Sequence, residues 1–309
     1  MPRLTIVTGT HNEAENIEEF YRRVTAAVTG IGLADYEIIV IDNASTDSTP
    51  QLLRKIAAQD ARFKVILNTR NFGHIRSPFH ALTQASGEAV VCLASDLQDP
   101  PEMIPKLLEK WQAGAKVVVC VKESEESPFF IGAVRNAYYR LVHTLAEIEI
   151  IEHFTGFGLY DREIITFCKN VADPYPYFRG MISEIGFPVE TIPYRKQGRQ
   201  RGITKNNFYT LYDLAMLGIT NHSKIPLRLA TMAGFALALG SFLVGMGYLV
   251  YKLLFWQQFP LGTAPVVIGL FLFSSIQLFF IGIVGEYIGA IHTQVLNRPL
   301  VVEKERINF

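Results

Sequence analysis

Three pairs of polar residues follow apolar runs in the first third of the chain, and their side chains are of types that bind nucleotides and divalent cations. The pairs are Asn12 with Glu13, Asp42 with Asn43, and Asp96 with Gln98. Mg²⁺ usually takes only one or two protein carboxylates beside waters and substrate phosphates. The sequence therefore predicts a metal site at Asp96 and Gln98. Asp42 and Glu13 are predicted to accept hydrogen bonds from a base or a ribose.

Each pair also has a purely structural interpretation. Asn12 or Asp42 can cap the helix that follows it, and Asp99-Pro100-Pro101 is typical of a helix start with proline in its first turn. Three polar strand ends that meet at one edge of one sheet favour a binding site over three independent caps.

Two well-known nucleotide-binding loops do not occur in the sequence. No G-x-G-x-x-G follows the first strand pattern, and no G-x-x-x-x-G-K-[ST] is found. These absences disfavour a dinucleotide-binding fold and exclude a P-loop. A nucleotide diphosphate would therefore be held chiefly by a metal ion and side chains.

The elements that must position these residues alternate regularly up to residue 121. Runs rich in β-branched residues, such as "LTIVTG" and "YEIIVID", are separated by helical patterns. Strands that are apolar throughout are buried on both faces, so the pattern predicts an α/β fold with a mostly parallel, doubly wound sheet. Ligands of such sheets bind beyond the carboxyl ends of the strands.

The second half of the chain is less regular. We expect a long amphipathic helix in "PFFIGAVRNAYYRLVHTLAEIEI" and a Gly-broken turn at "HFTGFGLY" that leads to another helix. The segment "FYTLYDLAMLGITNHSKIPLRL" has apolar residues at helical spacing, which predicts an amphipathic helix at a membrane surface. A helix packed on the globular domain is the alternative.

Two stretches without formal charge, residues 229–251 and 253–285, predict a pair of transmembrane helices. Each exceeds the length of about 20 apolar residues that crosses a bilayer core. Two buried core helices are the disfavoured alternative, because core helices rarely lack charge over such lengths. Cations flank the outer ends of the pair, so the positive-inside rule places both the N-terminal domain and the C-terminus in the cytoplasm.

Composition further limits the classes of protein to which the chain can belong. Lysine plus arginine equals aspartate plus glutamate at 29 each, so we expect no nucleic-acid partner, while the mean hydropathy of +0.20 is high for a soluble protein. The three cysteines lack disulfide or metal spacing, and no signal peptide is recognised before the first strand. The expected organisation is a cytoplasmic globular domain, an amphipathic juxtamembrane segment, a two-helix transmembrane hairpin and a C-terminal tail, over residues 1–205, 206–226, 227–292 and 293–309.

Several longer motifs carry a resemblance to a known family. They are "THNEAENI", "VIDNASTDST", "NTRNFGHIRSPFHALTQASGEAVV", "SDLQDPPEMI", "YFRGMISEIGF", "KQGRQRGITK", "GITNHSKIPLRL" and "GIVGEYIGAIHTQVLNRPLVVEK". Over nearly its whole length the chain resembles family 2 glycosyltransferases of the GT-A fold, in the polyprenyl-phosphate branch related to dolichyl-phosphate mannose synthases.

The resemblance implies a role for each matching position. The donor-nucleotide residues would be Asn12, Glu13, Asp42, Asn71 and Gly73. The metal, Mg²⁺ or Mn²⁺, would be bound by Asp96 and Gln98. The lipid phosphate would be bound by Arg135, Arg179, Arg199 and Lys205, and the residues nearest the chemistry would be Asp96, Arg135 and Arg199. Because relatives assemble through their membrane parts, a homo-oligomer is also implied.

Two positions depart from the family pattern. The metal motif is usually Asp-x-Asp, whereas this chain has Ala94 two residues before Asp96. Where relatives commonly read G-D-F-R-L, this chain has Gly156 and Gly158. The metal site is expected to be weaker, and no general base can be assigned from the family.

The resemblance implies an integral membrane enzyme, expected in a bacterial inner membrane. It would transfer one sugar, with inversion, from a nucleotide sugar to undecaprenyl or dolichyl phosphate, for modification of the cell envelope or of glycans. A UDP-sugar is favoured over a GDP-sugar. Two alternatives stay open: a membrane scaffold of this fold that has lost catalysis, which Ala94 suggests, and a processive polysaccharide synthase. The synthase would need more membrane spans and a Gln-x-x-Arg-Trp motif. The role of Glu286 near the end of the second span is undecided.

Overall fold

The computed structural model describes residues 3–123, 151, 154–171, 173–195, 225–255 and 263–309. The strands are β1 Leu4–Thr10, β2 Tyr36–Asp42, β3 Phe63–Asn68, β4 Ala89–Cys92, β5 Val117–Lys122, β6 Phe154–Asp161, β7 Val189–Tyr194 and β8 Glu303–Ile307. The helices are α1 Ala14–Thr29, α2 Thr49–Gln59, α3 Gly73–Gln84, α4 Ile104–Gln112, α5 Arg162–Val171, α6 Phe178–Glu184, α7 Ile225–Leu254 and α8 Thr263–Leu296. A short 3₁₀ helix, Pro101–Met103, precedes α4.

The eight strands form one sheet in the order β7-β5-β6-β4-β1-β2-β3-β8. Strands β1 to β4 pair in parallel with one another, and β7 pairs in parallel with β5. Only β6 and β8, among the described strands, run antiparallel to their neighbours. The prediction of a mostly parallel sheet is confirmed, and the carboxyl ends of β1 to β4 lie along one edge.

Helices cover both faces of the sheet, as the continuous apolar strands require. Every residue of β2 is buried. One core contains residues of α1, α2 and α4, including Phe20, Leu53 and Leu107. The other contains residues of α3, α5 and α6, including Phe79 and Ile164. The result is the doubly wound arrangement that the sequence predicts for residues up to 121.

The prediction of a Gly-broken turn at "HFTGFGLY" is wrong, because Phe154–Asp161 forms β6 between β4 and β5. Glycine serves close strand approach here: a Cβ on Gly158 would lie 2.5 Å from the Val118 carbonyl oxygen. Gly158, which suggested a turn in the sequence, instead allows β6 to lie close to β5.

The chain after α8 returns to the globular domain. Residues 303–307, which the sequence analysis assigned to a tail, form β8 on the edge of β3. Arg54 pairs with Glu305 at 2.7 Å, and the Asn308 side chain donates to the carbonyls of Ala57 and Phe63 at 2.7 and 2.9 Å. These contacts fix the end of α8 beside the sheet.

Helices α7 and α8 pack against each other and leave most of their apolar side chains exposed. Phe235 of α7 is 74% exposed and Val295 of α8 is 77% exposed. Their apolar windows, Ile225–Val244 and Phe273–Leu296, are long enough to cross a membrane, and neither is buried within the protein. This exposure contradicts the alternative of two core helices.

Several predicted segments lie outside the described residues. They are the long amphipathic helix expected in residues 128–150, the basic loop of residues 196–205, most of the juxtamembrane segment 206–226 and the link between the two apolar helices.

Candidate active site

The loop after β1 is tied to the loop after β2 by hydrogen bonds. The Asn12 N–H donates to Ser45 Oγ at 2.8 Å, and Asn12 Oδ1 accepts from the Thr46 N–H at 2.7 Å. Asn12 has a φ of 56°, the left-handed region that asparagine tolerates better than most residues. The Glu13 N–H donates to Thr49 Oγ1 at 3.0 Å. The structure therefore brings Asn12 and Glu13 to the carboxyl edge of the sheet.

Asp42 lies beneath these loops and has only 2% of its surface exposed. Its carboxylate accepts the Ser45 N–H at 3.0 Å and also the Ser45 hydroxyl. Burial raises the pKa of Asp42 above its ordinary value, and the two hydrogen bonds from Ser45 offset part of that rise. In this arrangement Asp42 holds in place the loop that bonds Asn12. It does not cap α2, because the N–H of Thr49, the first residue of that helix, donates to Asp47 Oδ1 at 2.9 Å.

Asn43 connects this edge to the loop between β3 and α3. Its Nδ2 donates to Asn71 Oδ1 at 2.8 Å and to the Gly73 carbonyl at 3.0 Å, while its Oδ1 accepts the Phe72 N–H at 2.8 Å. Gly73 has a φ of 88°, which glycine adopts at little cost. Two predicted nucleotide residues, Asn71 and Gly73, thus belong to one network with the end of β2.

The loop after β4 carries the predicted metal residues. Asp96 is half-buried, and its Oδ1 accepts the Gln98 N–H at 3.1 Å, which sets the two residues side by side. Between them Leu97 is buried with a φ of 61°, a strained conformation for a bulky side chain. Ser95 donates to the Gly9 carbonyl at 3.1 Å and so ties this loop to the end of β1.

Asp99 is a buried carboxylate just before the predicted helix start, which is confirmed because a 3₁₀ helix begins at Pro101. Its Oδ1 accepts the Tyr194 hydroxyl at 2.7 Å and its Oδ2 accepts the Ala94 N–H at 3.2 Å. The 3₁₀ helix that follows has no side-chain cap. Burial raises the pKa of Asp99, which the Tyr194 and Ala94 hydrogen bonds lower and repulsion from Asp96 raises further. Asp99 therefore closes the loop on itself and fastens it to the end of β7.

A cavity of about 420 Å³ opens beside this loop, between the ends of β1 and β4 and helices α3 and α6. Ala94 and Gly156, two of the departures from the family pattern, both line it, together with Asp99. Much of the remaining wall is apolar, and Thr8 contributes a buried hydroxyl without a hydrogen-bond partner in the described part of the chain. Both positions at which the family pattern has an acid therefore carry a small residue, and both line this cavity.

Arg179 lines the same cavity and is the lipid-phosphate candidate that lies within the described residues. One of its guanidinium nitrogens donates to the Phe154 carbonyl at 3.3 Å, and the group lies 5.4 Å from the centre of the Tyr177 ring. The other cationic candidates, Arg135, Arg199 and Lys205, lie outside the described residues. Of the positive groups expected to bind the acceptor, the structure therefore places Arg179 at the cavity.

The residues at the β4 loop fit a hard divalent cation by donor type. The Asp96 carboxylate and the adjacent Gln98 amide supply oxygen ligands, and the Asp96–Asp99 repulsion is of the kind that a cation offsets. No cluster of three His, Cys, Asp or Glu side chains surrounds a single point in the part of the chain that the structure describes. Such a site would rely on Asp96 and Gln98, with waters and phosphates as the other ligands.

Sequence reasoning missed three contributors to the site. Asn43 was noted only as a polar strand end, although it joins two loops. Asp99 was read as part of a proline-rich helix start, and Tyr194 was not singled out. Only Asp99 carried a sequence signal, since a second acid three residues after Asp96 repeats the chemistry of the motif. The other two contacts depend on tertiary packing.

These observations define a class: an α/β protein with a nucleotide-type site at the carboxyl edge of its sheet and a pair of exposed apolar helices. The family model described as "Glycosyl transferase family 2" matches residues 5–182. The model described as "GtrB C-terminal hairpin" matches residues 225–291. The chain belongs to glycosyl transferase family 2.

Individual relatives agree with this assignment over nearly the full length. The SfII prophage-derived bactoprenol glucosyl transferase of Shigella flexneri is 33% identical over 98% of this chain and 98% of its own length. The uncharacterized glycosyltransferase YkcC of Bacillus subtilis is 33% identical over 96% of this chain and 92% of its own length.

A solved structure supports the fold. Glucosyl-3-phosphoglycerate synthase from Mycobacterium tuberculosis, in complex with Mn²⁺, uridine diphosphate and phosphoglyceric acid, aligns with a TM-score of 0.50. The alignment covers 71% of this chain and 76% of that chain at 19% identity. At this level of identity the likeness shows a shared fold.

Proposed function

We propose that this protein is a membrane-bound, inverting glycosyltransferase that moves one sugar from a nucleotide sugar to polyprenyl phosphate. The observation that carries the proposal is the presence, in one chain of glycosyl transferase family 2, of a polar sheet edge and two exposed apolar helices. A polyprenyl chain stays in the bilayer while its phosphate lies at the surface. The apolar pair keeps the sheet edge close to that phosphate. The relatives named bactoprenol glucosyl transferase support the same acceptor class.

The donor nucleotide would bind along the edges of β1, β2 and β3. Asn12 and Glu13 would contact the nucleoside, Asp42 the base, and Asn71 with Gly73 the neighbouring part of the nucleotide. The hydrogen bonds of Asp42 and Asn43 hold both loops before the donor arrives, which reduces the entropy lost on binding. A UDP-sugar is the favoured donor class and a GDP-sugar the alternative.

Asp96 and Gln98 would bind Mg²⁺ or Mn²⁺ beside the donor diphosphate. A divalent cation at this place supplies positive charge opposite the departing nucleoside diphosphate. The loop that holds these two residues is fixed at its base by Asp99 and Ser95.

The reaction needs no strong base from this chain. A phosphate monoester is largely dianionic near neutrality, because its second pKa is about 6. One of its oxygens attacks the anomeric carbon, a new carbon–oxygen bond forms, and the bond to the nucleoside diphosphate breaks with its electron pair. No proton has to be removed, so the loss of an acid at Gly156 is compatible with transfer. Arg179 at the cavity would bind the acceptor phosphate, with Arg135, Arg199 and Lys205 as further candidates.

The domain and the C-terminus are proposed to lie on the cytoplasmic side of a bacterial inner membrane, with residues 206–226 at the surface as a juxtamembrane segment. A homo-oligomer is part of the same proposal.

The test is transfer by the purified full-length protein. Radiolabelled nucleotide sugars are incubated with a short polyprenyl phosphate, and the product is extracted into organic solvent. Asp96→Ala should abolish transfer and leave membrane insertion intact, whereas Asp35→Ala, an exposed acid just before β2 and so at the opposite edge of the sheet, should transfer normally. Normal turnover by Asp96→Ala would contradict the metal role.

The same experiment separates the two alternatives. A product with one sugar on each lipid argues against a processive synthase. Absence of transfer, together with no thermal stabilisation by uridine or guanosine diphosphate with and without Mn²⁺, would favour the scaffold.

A further inference from the structure

A group of three arginines lies where α8 returns to the globular domain. Arg70 follows β3, Arg76 is on the first turn of α3, and Arg298 comes two residues after the end of α8. The guanidinium carbons of Arg70 and Arg76 lie 4.0 and 5.6 Å from the centre of the same buried Phe72 ring. Arg76 also donates to the carbonyl of Pro299, next to Arg298. We call these three residues the arginine cluster.

Among the described residues, no acid pairs with the arginine cluster. None of the three residues forms an ion pair with a carboxylate in the described ranges, although other arginines of the domain, such as Arg54 and Arg62, do so. The buried Nε of Arg76 has no hydrogen-bond partner among the described residues. Burial and the charges of Arg70 and Arg298 together lower the pKa of Arg76. Within the described part of the chain the cluster therefore carries positive charge that no acid balances, and an anion would balance it.

A cleft of about 430 Å³ adjoins the arginine cluster. Arg298, Pro299 and Leu300 form one side, α3 forms another through Phe79 and Thr83, and the third comes from α5 and the chain after it. Thr83 lies two turns after Arg76 on α3, so Arg76 and the cleft share a helix face. We call this space the junction cleft.

The junction cleft is amphipathic. Phe79, Pro174 and Leu300 give apolar wall, and Lys169 and Arg298 bring positive charge. Its one described acid, Asp173, already accepts hydrogen bonds from Gln294 of α8 and from the Tyr175 N–H, both at 2.8 Å. A phosphate that carries an apolar glyceride body would match this combination of walls and charges.

The position of the junction cleft indicates whether its phosphate would belong to a lipid or be free in solution. The apolar window of α8 ends at Leu296, so the residues that follow lie where a membrane surface would be. Guanidinium groups bind phosphate oxygens in a planar, two-point geometry and lose less hydration than ammonium groups. We propose that the junction cleft and the arginine cluster bind the phosphate headgroup of an anionic phospholipid of the surrounding leaflet.

The junction cleft shares one wall residue, Phe79, with the proposed catalytic cavity and is otherwise lined by different residues. A lipid bound there would hold the start of α3, and with it the loop of Asn71 and Gly73, against the membrane surface. The inference does not depend on the proposed sugar transfer.

Binding is tested by native mass spectrometry of the full-length protein in detergent with dioctanoyl-phosphatidylglycerol. We expect a saturable one-to-one adduct with the wild type. Arg298→Gln, which changes an exposed side chain, and Arg76→Gln should each weaken binding about tenfold, the usual effect of one charged hydrogen bond. Arg22→Gln removes the same charge from an exposed α1 arginine that pairs with Glu19, and should bind as the wild type does.

Three outcomes would overturn the inference. The first is wild-type affinity in both Arg298→Gln and Arg76→Gln. The second is an equal loss in Arg22→Gln, which would reveal only a general effect of net charge. The third is displacement of the lipid by inorganic phosphate at equal concentration, which would assign the arginines to a free phosphate group.

Discussion

At the scale of single residues, Asp99 is a buried acid whose hydrogen bonds tie together two elements of the candidate site. It accepts the Tyr194 hydroxyl and the Ala94 N–H, one from β7 and one from the loop that carries Asp96. Charge that is buried in this way is tolerated only when its hydrogen bonds are satisfied. Asp99 is therefore expected to position the β4 loop.

Tyr194→Phe tests this role. Removing the hydroxyl leaves the buried carboxylate one donor short, which should lower the free energy of unfolding by about 1–3 kcal/mol. The β4 loop loses its link to β7, so transfer should fall roughly tenfold through misplacement of Asp96. Thermal unfolding and transfer by the purified protein measure the two effects.

Tyr21→Phe is the matched control for that substitution. The Tyr21 hydroxyl donates to Asp60 at 3.0 Å, in a tyrosine–carboxylate pair that the structure places away from the β4 loop. This variant should lose some stability and keep normal transfer. Equal losses of transfer in the two variants would show that Tyr194 has only a structural role.

The residue types of the site could be predicted, but their mutual contacts could not. Asn12, Asp42 and Asp96 were found because each follows an apolar run, and the edge of a parallel sheet brings such positions together. Asn43 and Tyr194 act through partners that are 28 and 95 residues away in the chain. No local pattern encodes such pairings, since they arise only when the strands have taken their places.

At the scale of elements, β6 is the strand that local reasoning misread. It lies antiparallel between β4 and β5, and at Gly158 it approaches β5 too closely for a side chain. Glycine in a strand and glycine in a turn look the same in sequence, so only the pairing distinguishes them. The parallel strands were recovered because their continuous apolar runs reflect burial on both faces.

Gly158→Ala should destabilise the domain. The new Cβ would lie 2.5 Å from a backbone carbonyl that cannot rotate away, and such overpacking costs about 1–3 kcal/mol. Gly240→Ala is the control, because a Cβ on that α7 glycine would have no neighbouring atom of the described residues within 4 Å outside its own helix backbone. Thermal unfolding in detergent should show a lower midpoint for the first variant alone; an unchanged midpoint would contradict the close packing of β6.

The attachment of β8 should weaken in acid. Glu303 pairs with Arg306 and with His80, at 2.7 and 2.6 Å, and these contacts lower the pKa of its carboxyl, Arg306 having the largest effect. A carboxyl with a lowered pKa contributes stability above its unfolded pKa of about 4.3 and loses it as the pH falls through the folded value. Hydrogen exchange of residues 303–307 should therefore accelerate, relative to β1, as the pH falls below about 4.

Glu303→Gln provides the comparison for this pH dependence. Without the charge, the attachment of β8 should be weaker by up to about 1 kcal/mol at neutral pH and should change less in acid. The same acid response in Glu303→Gln and the wild type would assign the effect to another group.

At the scale of the whole molecule, the sheet constrains how the chain meets a membrane. β8 follows α8, yet it pairs with β3 of the N-terminal domain. Residues before and after the apolar helix pair therefore belong to one sheet, so any membrane crossings between them would have to be even in number. The flanking cations predict that both termini lie on one side of the membrane, and the strand pairing of β8 agrees with that prediction.

Reporter fusions check this topology. Green fluorescent protein fused after Phe309 and, in a second fusion, before Met1 should fluoresce in both cases when the protein is expressed in bacteria. Alkaline phosphatase at the same two positions should stay inactive, because it needs the oxidising side of the membrane. Opposite behaviour of the two termini would be incompatible with β8 in the sheet.

The space shared by Ala94 and Gly156 has one more consequence. Compared with the family pattern, each position lacks an acid at the wall of the cavity, and a doubly charged phosphate that approached a bound diphosphate there would meet less negative charge. Like charges at short range repel more strongly in a partly buried cavity than in water. A chain without these acids would thus bind a cation more weakly, and it would also repel the anionic acceptor phosphate less strongly.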